Sequence, residues 1–388
     1  MVRLDAASRI TLTGLAALAL AMGVGRFAFT PMLPLMQDDG LLDIASGGML
    51  AAAHFLGYLV GAMTAARVGL APRRLFQLAL VVIAATTLGM GVTDRYTGWL
   101  VMRFAAGVCS AWVLVLVGNY HLNALAQCGR TSAQGWVFSG VGAGIAAAGL
   151  ACLAFMLLAI TSAHAWLLLG AASTGVAVLI ARAIRDELPA ERRVARTPAS
   201  QRSPLSWGLI VAYGTAGAGY TIPATYLPVM AREIVASPMI FGWSWPIFGL
   251  AAFASTLLVA TFQSRYSNRR IWAIGQALMA AGLLLPVAFP HIGAIALAGL
   301  CVGGTFMVVT MFGMREAHRI APQPDVIRHI AAMTTAFASG QIVGPMLASA
   351  WFSVSGRLSG ALVLTSALLV VSLIGLMRPV PQPRGHEA

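Results

Sequence analysis

Runs of about twenty apolar residues, separated by short stretches of arginine, aspartate, glycine and proline, recur from one end of this 388-residue chain to the other. A helix needs about 20 such residues to cross a hydrocarbon layer about 30 Å thick. Strands of a membrane barrel would be shorter and would alternate, so the runs predict an all-α polytopic membrane protein. Taking charges, Gly, Pro and Asp clusters as boundaries gives twelve spans: 10–36, 46–66, 75–93, 98–126, 133–160, 164–184, 206–230, 239–262, 271–289, 292–315, 329–354 and 359–377.

The charges between the spans test that count. With the N-terminus inside, 20 arginines fall in the inside segments and only Arg95, Arg232 and Arg357 in the outside ones, where Asp38, Asp39, Asp43 and Asp94 also lie. Such an excess is how cytoplasmic loops are marked. It predicts a multi-pass bacterial inner-membrane protein with both termini cytoplasmic.

Composition narrows the class. Residues are 59% hydrophobic and 10% charged, with mean hydropathy +0.82, against about a quarter charged in soluble domains. The net charge of +13 raises the question of nucleic acid, but the arginines sit between apolar runs, where topology accounts for them, and no nucleic-acid partner is expected. The chain has no lysine, so every basic side chain is a permanently charged guanidinium. Cys109, Cys152 and Cys301 lie within spans and Cys128 at a span end, without CxxC spacing, so neither a disulfide nor a metal site is expected. A nucleotide loop of the Walker type is also missing, and a gradient rather than ATP is the expected driving force. Neither enzymatic activity nor a cofactor is expected.

The longest polar segment, 185–205, falls at mid-chain and reads as a cytoplasmic linker between an N-terminal half, 1–184, and a C-terminal half, 206–388. An internal repeat supports the division. Gly23-x-Gly25-x6-Met32-Leu33-Pro34-x-Met36 aligns with Gly217-x-Gly219-x6-Tyr226-Leu227-Pro228-x-Met230 at a constant offset of 194, laying span 1 over span 7. Spans 5 and 11 match more loosely through Gly140-x3-Gly144 and Gly340-x3-Gly344.

On these residues, together with Gly303-Gly-Thr-Phe-Met-Val-Val-Thr310 and Gly340-Gln-Ile-Val-Gly-Pro345, the sequence resembles the major facilitator superfamily and, within it, the YbfB/YjiJ type. The resemblance covers essentially the whole chain. It implies two pseudosymmetric six-helix halves with a substrate site between them near the membrane midplane. The superfamily's signatures are worn. In the loop after span 2, Gly61 is followed by Ala65 where the pattern has Asp, leaving Arg67, Gly69, Arg73 and Arg74. The span 4 signature survives as Arg103-Phe-Ala-Ala-Gly107 without its Gln, and span 5 carries Gly140, Gly142, Gly144 and Gly149 without the antiporter proline. By this resemblance Arg73, Arg74 and Arg103 are candidates for gating or coupling.

Arg26 stands inside the apolar run of span 1. A cation there costs about 2.5 kcal/mol or more unless a partner or a watery cavity receives it. Counted from Met36 it lies about 15 Å below the outer end of its span, His54 lies at similar depth in span 2, and Tyr220 is its repeat-mate. The functional reading is a cation for an anionic substrate. The competing reading is a guanidinium that caps carbonyls freed by Pro31 and the flanking glycines, or that snorkels to the surface. Thr30, Tyr213, Thr225, Tyr226, Thr310 and Gln341 complete the candidate substrate set.

No Asp or Glu falls in the middle of any span, which leaves His54 as the best candidate proton carrier, against the competing readings that it is simply a packed histidine or that a substrate carboxylate brings its own proton. Arg103 reads most simply as a holder of backbone carbonyls on a neighbouring helix. Trp243 and Trp245 are candidates for lining the cavity or, near the outer end of span 8, for the interfacial belt, and the pairs Gly57/Gly61, Gly140/Gly144, Gly299/Gly303 and Gly340/Gly344 read as close helix contacts. The expected function is secondary transport of a small organic anion by alternating access, with proton coupling left open and His54 its candidate carrier. Its alternatives are efflux of neutral or amphipathic compounds, and a non-transporting sensor or assembly factor on the same scaffold. The expected partners are a small-molecule substrate and the lipid bilayer, with the chain acting as a monomer.

Overall fold

The computed structural model describes residues 5–184, 203–234, 238–262 and 265–377; the linker expected at 185–205 falls almost wholly outside them. The described chain is helical, without strands. Twelve long helices follow in order: α1 Ala6–Asp38, α2 Ile44–Thr64, α3 Pro72–Val92, α4 Tyr96–Gln127, α5 Ala133–Leu157, α6 Ser162–Ala183, α7 Trp207–Ile234, α8 Pro238–Phe262, α9 Asn268–Ala288, α10 Ile292–Ile320, α11 Gln323–Ser355 and α12 Ser359–Met377. Among the described residues, 11 stretches are long and apolar enough to cross a membrane, and the 28-residue α7 takes the remaining place in the series. The chain is a multi-pass membrane protein.

Local chemistry sets the helix ends. Asp43 and Ser46 form a reciprocal capping box at the start of α2, Pro72 opens α3 where its missing N–H costs nothing, and Ser267 caps α9 through the Arg270 N–H. Gly356, with φ +67°, closes α11 in the left-handed conformation that glycine adopts without strain.

Packing repeats in the two parts of the chain. The pairs α1·α5, α2·α4 and α3·α6 recur as α7·α11, α8·α10 and α9·α12, and the pairs α5·α8 and α2·α11 join the two sets. The glycines explain this arrangement. Gly140 and Gly144 lie where an added Cβ would strike the α1 backbone at Leu15 and Ala19. Gly135, Gly142 and Gly149, seven residues apart, instead meet α8 at Thr256/Ala260, at Gly249/Phe253 and at Pro246. One helix thus shows small residues to its own half on one face and to the other half on another. Gly57, Gly61, Gly340 and Gly344 make the expected close contacts, whereas nothing lies within 4 Å of a Cβ at Gly299, so the pairing expected for it fails.

Two helices depart from α-geometry. In α1 the turns widen over Ala19–Val24 into a π-helical segment, with Gly25 N–H donating to Leu20 O at 2.8 Å and Phe27 N–H to Met22 O at 3.1 Å. In α4 the same occurs over Val117–His121. Such single widened turns shift the register of everything beyond them, and they concentrate at functional sites.

Candidate substrate-binding site

The break in α1 is where the site begins. Pro31 has no N–H, so the Phe27 carbonyl loses its helical partner; it accepts from Thr30 N–H at 3.3 Å and from the Trp245 indole N–H of α8 at 3.2 Å. Thr30 N–H is thereby turned from its usual partner, the Arg26 carbonyl. That carbonyl accepts from Arg103 Nη2 of α4 at 3.2 Å, and the Gly25 carbonyl from Arg103 Nη1 at 3.1 Å. Arg103 also lies over the Phe29 ring at 4.6 Å. The carbonyl-capping role weighed for Arg26 therefore belongs to Arg103 and Trp245. Trp245 is buried, which sets aside the interfacial belt for it, while Trp243 is exposed as a belt residue would be.

Freed of that task, Arg26 is 4% exposed and none of its three nitrogens makes a hydrogen bond of good geometry, with the Tyr58 and Tyr220 hydroxyls alongside as its polar neighbours. It lies over the Tyr58 ring at 4.2 Å, the Phe27 ring at 5.0 Å and the Phe55 ring at 5.7 Å. Aromatic faces attract a cation at these distances but leave its N–H edge unspent. That edge borders a cavity lined from the first half by Met22, Arg26, Phe27, Tyr58 and Leu114 and from the second by Tyr213, Tyr220, Phe306, Met307, Thr310, Thr334, Phe337 and Gln341. Tyr58 Oη and both polar atoms of the Gln341 amide are buried without hydrogen bonds. The Thr310 and Thr334 hydroxyls donate back to Phe306 O and Ile330 O of their own helices, so only their lone pairs remain for a guest.

The cavity is closed. Its free volume of about 10 Å³ suits a single water. On one side Trp245 reaches across to Phe27. On the other, toward the face where α1 starts and α12 ends, His318 Nε2 of α10 donates to Gly118 O in the widened turn of α4 at 2.7 Å. Both bonds cross between the two sets of helices.

Of the residues singled out in the sequence, Arg26, Tyr213, Tyr220, Thr310 and Gln341 come together here. Arg26 and its repeat-mate Tyr220 share the cavity, and Phe27 meets the Tyr220 ring edge-on at 6.2 Å. His54 does not line it; it is buried in α2 beside α4, one turn before Tyr58, and its ring nitrogens make no hydrogen bond. Thr30 and Thr225 are exposed, and the Tyr226 side chain lies outside the described residues. Arg73 donates to Ile184 O at 3.1 Å, binding the start of α3 to the end of α6 within one half rather than locking the two together, and Arg74 is exposed at the surface. No group of metal-ligating side chains occurs among the described residues.

The sequence model of the family described as "Uncharacterised MFS-type transporter YbfB" matches residues 18–377. The chain belongs to this family of major facilitator transporters. Curated relatives include proteins named "Uncharacterized MFS-type transporter YcaD", 31% identical over 113 residues in Salmonella arizonae and 33% over 112 residues in Escherichia fergusonii; each match spans 28% of either chain. Among solved structures, the human organic anion transporter MFSD10 (TETRAN) superposes with a TM-score of 0.78 over 96% of this chain and 100% of its own, at 14% identity. That likeness is one of fold: this YbfB-type chain has the major facilitator architecture.

Proposed function

We propose that the protein carries small organic anions across the bacterial inner membrane by alternating access around Arg26. One observation carries the reading: a guanidinium buried in the membrane interior, with no hydrogen bond of good geometry and no acid among the residues lining its cavity, faces walls that come from both halves. A buried charge without a partner costs several kcal/mol, and a carboxylate entering the cavity supplies that partner through two parallel N–H···O bonds. A cationic substrate would find no fixed negative charge among the lining residues. The two crossing bonds, Trp245 to Phe27 and His318 to Gly118, are gates that open in turn as the halves rock.

The arginine distribution supports a cytoplasmic location for the starts of the odd-numbered helices, and with them for the His318 gate. Proton coupling through His54 would run by way of Tyr58, one turn further along α2. The test is uptake of labelled organic acids into proteoliposomes with and without a pH gradient. Arg26→Gln abolishes uptake if the reading holds and leaves it intact if it does not. A rate indifferent to the gradient removes His54 as a carrier.

A further inference from the structure

We propose that the anion is a small aromatic monocarboxylate, with its carboxylate on Arg26 and its ring against the faces of Tyr220, Phe306 and Phe337. The inference rests on the anion reading above and specifies the class of anion. Three features of the cavity support it.

The first is charge. The sequence has no lysine, and Arg103, the nearest other guanidinium in the membrane interior, spends its two terminal nitrogens on the carbonyls of Gly25 and Arg26. Arg103 keeps its charge but has committed its terminal donors to neutral carbonyls, so Arg26 is the one cation lining the cavity with its terminal donors left for a carboxylate. A dicarboxylate would bring a second charge into an apolar wall without a partner.

The second is the donor set. The Arg26 guanidinium carbon lies 4.2 Å from the Tyr58 ring centroid, a contact that uses the ring's face and leaves N–H donors for a planar acceptor. Tyr58 Oη and Gln341 Nε2, both buried and both unspent, border the same space from α2 and α11. Together they offer donors for both oxygens of a single carboxylate.

The third is the wall. Tyr220 stacks on Phe306 at 4.9 Å and 19° and lies nearly parallel to Phe337 at 6.1 Å and 13°, so three rings form a layered stack across α7, α10 and α11. Phe27 stands edge-on to Tyr220 and to Phe306, at 87° and 79°. In this closed state the space beside the rings is only about 10 Å³, so a guest enters as the halves part; a flat ring set against the cluster then gains the offset and edge contacts that aromatic pairs favour, and a saturated ring of the same size does not. The difference is roughly three- to tenfold in affinity.

The test is isothermal titration of the purified full chain with benzoate, cyclohexanecarboxylate, benzamide and phthalate. Benzoate is expected to bind at least threefold more tightly than cyclohexanecarboxylate and at least tenfold more tightly than benzamide or phthalate. In Phe306→Leu its advantage over cyclohexanecarboxylate is expected to vanish. Equal binding of the flat and saturated acids by the wild type overturns the aromatic assignment and leaves the anion reading standing, and tighter binding of phthalate overturns the single charge. If benzamide matches benzoate, or none of the acids binds, both readings fall.

Discussion

Gly142 sits in the middle of the α5·α8 seam, where one methyl group is enough to disturb the closed state. A Cβ added there would lie 2.7 Å from Gly249 O and 2.8 Å from the Ala252 carbonyl carbon, and closer still to Phe253 N. All of these are backbone atoms, which cannot swing aside as a side chain would. Reaching ordinary contact at 3.4 Å from the 2.7 Å start at Gly249 O means parting the helices by at least about 0.7 Å, and by more at Phe253 N. Overpacking of this kind costs about 1–3 kcal/mol, a five- to 150-fold change in the balance between closed and open states. Pulsed electron–electron distance measurements on paired labels report that balance. Labels at Arg130 and Tyr266 read the face where α1 starts, and labels at Leu158 and Trp243 read the opposite one. Gly142→Ala is expected to raise the long-distance population at one pair at least. Gly140→Ala, whose Cβ strikes Leu15 within the same half, is expected to lower the melting temperature without that redistribution. Identical distance distributions for wild type and Gly142→Ala would refute the role given to the seam.

Further outcomes follow from the same geometry. Arg103→Gln removes two charged donors from the carbonyls of Gly25 and Arg26, each worth about 1.5–3 kcal/mol; a lower melting temperature and weaker anion binding are expected, and unchanged values of both would show that the α1 break holds itself. Trp245→Phe keeps the stack on Phe248 at 5.4 Å but deletes the bond to Phe27 O, a loss of about 0.5–1.5 kcal/mol that is expected to increase cysteine-reagent access to the cavity from the side away from the chain ends. Glu316 is buried at the end of α10 between Arg269 at 2.5 Å and Arg319 at 2.7 Å. Glu316→Ala is expected to cost about 1–3 kcal/mol, because it takes the carboxylate from the part-buried Arg269, which keeps its bond to the Leu376 carbonyl, while Arg319 stays half in solvent, read as a clear fall in melting temperature; a shift of a degree or less would contradict it.

The sequence carried the architecture because membrane helices announce themselves by length and hydropathy, and because the 194-residue repeat set Arg26 opposite Tyr220. Depth was legible too, since residue counts convert directly to height along a helix. Direction around the helix was not. His54 stands at the expected level, but it is Tyr58, one turn on, that reaches the cavity. In α1 the π-helical turns shift the register, so a 3.6-residue period could not say which way Arg26 points. Phe306 and Phe337 were hidden among other apolar residues, yet each stands four positions before a polar candidate, Thr310 and Gln341, and so shares its helix face. That spacing was the available signal for the aromatic wall. Trp245 was ambiguous because its position near a span end resembles that of a belt residue, and only the Phe27 carbonyl freed by Pro31, in a different helix, reveals its partner.

Arg26 is the point on which the whole account turns. A thermal-shift titration of wild type, Arg26→Lys and Arg26→Gln with small carboxylates and their neutral amides tests it most directly. The account predicts that carboxylates but not amides stabilise the wild type, that Arg26→Lys retains part of the response, and that Arg26→Gln loses at least tenfold in apparent affinity. A response that is the same in wild type and Arg26→Gln, or no response of the wild type to any carboxylate, would contradict it.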